Sequence, residues 1–72
     1  MAGLTDQEKI ELIDTHVRNL EYSKYNLELS LLEENAVEDK KQAAIDSIQG
    51  DIDVIDSKKA ALEAEKTKLT SK

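Results

Sequence analysis

Residues 31–41 read LLEENAVEDKK, and this stretch decides whether the chain turns back on itself or runs straight through. On both sides of it the sequence has the period of a helix. Before it, Ile10, Ile13, Val17, Leu20, Leu27 and Leu31 recur at heptad a and d spacing. After it, Ile45, Ile48, Ile52, Ile55, Leu62 and Leu69 do the same. Lysines interrupt the stripes at the a positions 24, 59 and 66. Counting by sevens from Ile10 reaches Ile45, so both stripes share one phase. A single rod of about 65 residues, about 97 Å at 1.5 Å per residue, keeps that phase.

Within the quoted stretch, however, the same phase assigns its core positions to Glu34, Glu38 and Lys41. Three successive polar layers would leave a long unsealed seam. A turn accounts for them better. Glu38 and Asp39 then fall in the first turn of a new helix, where the helix dipole favours acids, and Asn35 with Glu38 resembles an N-cap pair. Against this, the stretch has no Gly or Pro, and Glu33 and Glu34 are unfavourable at a helix C-terminus. A turn here also makes two arms of equal length. We therefore read residues 1–72 as one domain: helix at about 5–34, turn at about 35–38, helix at about 39–70. In that reading Leu4 meets Leu69, Val17 meets Ile55, Leu20 meets Ile52 and Leu27 meets Ile45. The twelve stripe residues form the hairpin core. The start is marked by Thr5 and Glu8, spaced as a capping box. A break at Gly50 is the remaining alternative, but Ile48 and Ile52 stay in phase across it.

Composition agrees with long helices. Of 72 residues, 36% are charged; there is no Pro, Cys, Trp or Phe, and there are only two Gly. Without Cys there is no disulfide and no thiolate chemistry. The net charge is −6. Residues 1–36 carry eight acids and three bases, net −5; residues 37–72 carry eight acids and seven bases, net −1. That argues against nucleic acid and an anionic membrane surface as natural partners, and we expect neither. No apolar run approaches the ~20 residues of a membrane span, and the N-terminus has no signal-peptide pattern. The expectation is a cytoplasmic protein.

The first arm carries a second stripe: Tyr22, Tyr25, Leu29, Leu32 and Ala36. At 100° per residue it lies about 150° around the helix from the first. It is either an apolar flank partly wrapped by the hairpin or a face toward another molecule. A patch of this kind is a liability on a monomer, and the second arm offers Ala43, Ala44, Ala60, Ala61 and Ala64 for close packing. Ile at both a and d positions favours more than two helices around a core. So small a chain also gains stability by oligomerising. The expected architecture is an all-α antiparallel two-helix hairpin, coiled-coil-like, pairing with a second copy into a four-helix bundle.

Catalytic and metal chemistry find few candidates. Asp51, Asp53 and Asp56 in DIDVID suggest a calcium loop, which requires Gly at its sixth position and an acid at its twelfth. Those positions hold Asp56 and Leu62. His16 is the only histidine, with Ile13 three residues before it, so the Glu-x-x-His pairs of a di-iron bundle are missing. No nucleophile set, phosphate loop or zinc spacing occurs. We expect no enzyme, no metal and no cofactor.

The runs LEYSKYNLELSLLEENAV (residues 20–37) and AAIDSIQGDIDVIDSKKAALEAEKTKL (residues 43–69) resemble small helical proteins of marine tailed phages and marine metagenomes. The resemblance implies an accessory or interaction role in a bacterial or phage-infected cytoplasm. The expected function is a structural or adaptor module that self-associates and binds a second copy, or another protein. The alternative is an acidic decoy that inhibits a nucleic-acid-binding protein.

Overall fold

The computed structural model describes residues 3–71. Two helices make up the fold: α1, Asp6–Ala36, and α2, Gln42–Thr70. They pack against each other as an antiparallel hairpin with extents of 59 × 19 × 15 Å. A rod of about 97 Å is therefore excluded.

The start of α1 is fixed locally. The Thr5 hydroxyl accepts the Glu8 N–H at 3.1 Å, and the Glu8 carboxylate accepts the Thr5 N–H at 2.9 Å. These bonds, the one from the Thr5 backbone foremost, hold the Glu8 carboxyl below the ordinary carboxylate range. Each satisfies a donor that helix geometry would otherwise leave bare.

The turn falls later than the sequence pattern places it. Asn35 lies inside α1, where its side-chain amide donates to the Leu31 carbonyl at 2.9 Å. That bond serves one of the last carbonyls of the helix, which continues to Ala36. The β-branched Val37 then takes an extended conformation, φ −87° and ψ 150°. Residues 37–41 connect the helices, and α2 begins at Gln42 rather than near 39. The expected N-cap pair of Asn35 and Glu38 does not form, and α2 has no acid in its first turn. Its N-cap is Lys41, whose side chain makes no capping bond.

A turn three residues later shifts the facing register by about one heptad. Three cross-helix ion pairs define it: Lys24–Asp56 and Lys66–Asp14, each at 2.7 Å, and Lys59–Glu21 at 3.8 Å. In each pair the residue numbers add to 80. The total is the same whichever helix supplies the lysine, so the lean of the long side chain cancels. Within one residue of that register, each a position is level with a d position opposite. Ile10 is level with Leu69, Val17 with Leu62, Leu27 with Ile52 and Leu31 with Ile48. The expected pairs Leu4–Leu69, Val17–Ile55, Leu20–Ile52 and Leu27–Ile45 are corrected accordingly. The heptad phase survives because the shift is about seven.

The lysines discriminate between the two registers. In the expected one, Lys24 would be level with Gln49 and Lys66 with Gln7; Lys59 alone would meet an acid, Asp14. In the observed one, all three reach carboxylates. The first turn of α1 consequently projects past the end of α2, and Leu4 is exposed.

Helix α2 runs unbroken through Gly50, which has no positive φ. A Cβ built there meets nothing among the described residues within 4 Å. Glycine in a helix interior costs about 0.5–1 kcal/mol relative to alanine. Gly50→Ala is therefore expected to raise the thermal midpoint by about 2–8 °C, read by circular dichroism. A lowered midpoint would mean that another chain approaches closely at Gly50.

Candidate functional site

The seam between the helices is thin. Ile13, Ile52, Ile55 and Leu69 are buried. Ile10, Val17, Leu20, Leu27, Leu31, Ile45, Ile48 and Leu62 are half-buried. Lys24, Lys59, Lys66, Glu34, Ser30 and Ala44 complete the half-buried set. Two helices alone cannot enclose a side chain on all sides, and no described residue is fully buried.

The three core lysines run their stems along the seam and put their ammonium groups at its edge. Their partners Asp14, Glu21 and Asp56 all occupy heptad e positions. Hydrogen bonding to Asp56 raises the Lys24 ammonium above its ordinary value, against partial desolvation. Each pair is half-exposed, so solvent screening keeps its contribution to stability small. Their main effect is to select the register. In the sequence Asp56 stands out only within DIDVID, and nothing there marks Asp14, Glu21 or Asp56 as the partner of a lysine. A lysine at a identifies its partner only once the opposite e residue is known, and that requires the register.

The opposite edge of the seam carries a shallow open groove. His16, Asn19, Ser23, Lys58 and Ala61 line it over a floor of Leu20 and Leu62. Its lining holds one histidine, one lysine and one serine and no carboxylate. Asp46, Asp51, Asp53 and Asp56 lie along α2, all exposed. Among the described residues no three His, Asp or Glu side chains come together as a metal site would require.

The second stripe lies on the outer face of α1, away from α2. Tyr22 is 61% exposed, Tyr25 60%, Leu29 39% and Leu32 67%, and Ala36 is exposed as well. The hairpin does not wrap them. Val37, half-exposed at the start of the connection, extends the patch toward the turn. At the other end the Arg18 guanidinium stands over the Tyr22 ring, 5.5 Å from its centroid. Elsewhere Leu4 and Leu12 are exposed together beside a shallow hollow at the start of α1, and Val54 is exposed on α2. The alanines of α2 are exposed except for Ala44, which is half-buried.

The total surface is 5518 Å². A compact monomer of 8.1 kDa exposes about 4,500 Å². The radius of gyration, 16.7 Å, likewise exceeds the about 11 Å of a compact domain of this length. No described helix is long and apolar enough to cross a membrane. Comparison with protein-family models, curated proteins and solved structures found no match.

Proposed function

We propose that this protein is a non-enzymatic structural or adaptor hairpin that self-associates, two copies bringing four helices together. The observation that carries this reading is the exposed Tyr22–Ala36 stripe on α1. Four large apolar side chains at helical spacing lie on a face that the hairpin itself leaves to solvent. The hairpin is elongated, 59 × 19 × 15 Å, and so keeps a large share of its surface in contact with solvent. Apolar burial at about 25 cal/mol per Å² gives association a driving force that the thin seam lacks.

The acidic-decoy reading is the weaker one. It needs free carboxylates spaced like phosphates, and Asp14, Glu21 and Asp56 are engaged by lysines within the hairpin.

Sedimentation over a range of concentrations tests the proposal. The expected result is a weight-average mass that rises from one chain to two, with the midpoint at micromolar concentrations. A mass of one chain maintained into the hundreds of micromolar would overturn it.

A further inference from the structure

The stripe also contains information about how a partner would lie on it. Its four large side chains, in the order Tyr22, Tyr25, Leu29, Leu32, are centred level with Leu27, and the small Ala36 lies beyond them. The tyrosines occupy one end and the leucines the other. Arg18 closes the tyrosine end, where it stacks on Tyr22. Glu33 flanks the leucine end, exposed and outside every cross-helix ion pair described above. The outer face of α2 provides no comparable surface. It presents Asp46, Gly50, Asp53, Ser57 and small alanines, with no large apolar side chain except the lone Val54 beside it.

We propose that the occupant of the stripe is the same stripe of a second copy, run antiparallel about a two-fold axis level with Leu27. This rests on the self-association proposed above and specifies its geometry. Reversing the stripe on itself places each Tyr22 level with the partner's Leu32 and each Tyr25 level with the partner's Leu29. Every layer then pairs a flat ring with a branched aliphatic chain. A parallel arrangement would set like on like and put the two Arg18 guanidiniums side by side. In the antiparallel one, each Arg18 comes within a helical turn of the partner's Glu33, at both ends of the contact. Opposite charges meet twice, and the arrangement closes after two copies. The face of α2, with Asp46 and Asp53, would instead confront Glu28 and Glu33 with like charge.

The geometry also fixes the order of the helices. The two apolar stripes of α1 lie about 150° apart, whereas a square bundle needs neighbours about 90° apart. The four helices therefore lie nearly in a row, α2, α1, the partner's α1 and the partner's α2. The inner pair is covered on both sides, and each α2 keeps its outer face in water.

A spin label at Lys9→Cys, measured by pulsed dipolar spectroscopy on the full chain above the dimerisation midpoint, tests this. Lys9 lies 18 residues from the axis level. The antiparallel dimer thus separates the two labels by about 54 Å along the helices. A distance within about 10 Å of that supports the proposal. A distance under about 25 Å means a parallel pair, or α1 packed on the partner's α2; it overturns this geometry and leaves self-association standing. Absence of a dipolar distance, with a sedimenting mass of one chain, overturns both. A charge swap gives an independent readout. Arg18→Glu is expected to weaken the dimer about tenfold over the two symmetric pairs, and adding Glu33→Arg is expected to restore it. Failure of the second change to restore binding would overturn the antiparallel register.

Discussion

Leu29→Lys combined with Leu32→Lys is expected to weaken self-association by at least about a hundredfold, roughly 2.8 kcal/mol, while leaving the hairpin folded. Leu32 is 67% and Leu29 39% exposed in the hairpin, so the monomer loses little buried contact. Lysine is a good helix former. At position 32 it follows Glu28 by four residues, a favourable pair, and near the C-terminus of α1 its charge suits the helix dipole. In the dimer each change counts twice. Four leucines leave an apolar contact, each giving up part of the about 1.5–3 kcal/mol of a fully buried side chain. Four ammonium groups are brought into an apolar contact and lose hydration there. Circular dichroism checks the fold and sedimentation checks the association. An unchanged mass distribution with intact helix content would remove the stripe from the interface.

Ile55→Ala is expected to cost the hairpin about 2 kcal/mol, and Val54→Ala almost nothing. The two residues are neighbours on α2, yet Ile55 is 8% exposed and Val54 is 51% exposed. Ile→Ala changes in well-enclosed cores cost about 2–5 kcal/mol. The lower end applies here because only two helices surround the site and the space left behind is open to water. Val54→Ala loses little apolar burial, and alanine's better helix propensity offsets it. A chain of this length is stable by only about 4–11 kcal/mol. A loss of about 2 kcal/mol should lower the thermal midpoint by about 8–16 °C. Thermal unfolding in the Leu29→Lys, Leu32→Lys background separates the effect from dimer stabilisation. Equal shifts for the two variants would mean that the a and d positions do not form the seam.

Helix and phase are legible in the sequence because they depend on near neighbours. Thr5 and Glu8 lie three residues apart and form their cap without help from the rest of the chain. Apolar residues at a and d spacing share one side of a helix whatever that side packs against. For the same reason the Tyr22–Ala36 stripe can be recognised as a separate face. Whether the hairpin covers that face is not a local property. In the folded chain α2 lies on the other side of α1, and the stripe stays in solvent.

The place of the turn and the register belong to the tertiary structure. LLEENAVEDKK contains no Gly or Pro, so no residue in it forces the backbone to reverse at a given point. Registers one heptad apart present identical apolar patterns, and hydrophobic period cannot distinguish them. The difference lies in residues more than thirty positions apart. Lys24, Lys59 and Lys66 all reach carboxylates only when the turn follows Ala36. The sequence by itself determined two amphipathic helices in one heptad phase, with a surplus apolar face on the first. Which residues meet across the seam was decided only when both helices were present, because a core lysine selects its partner by reach across the interface.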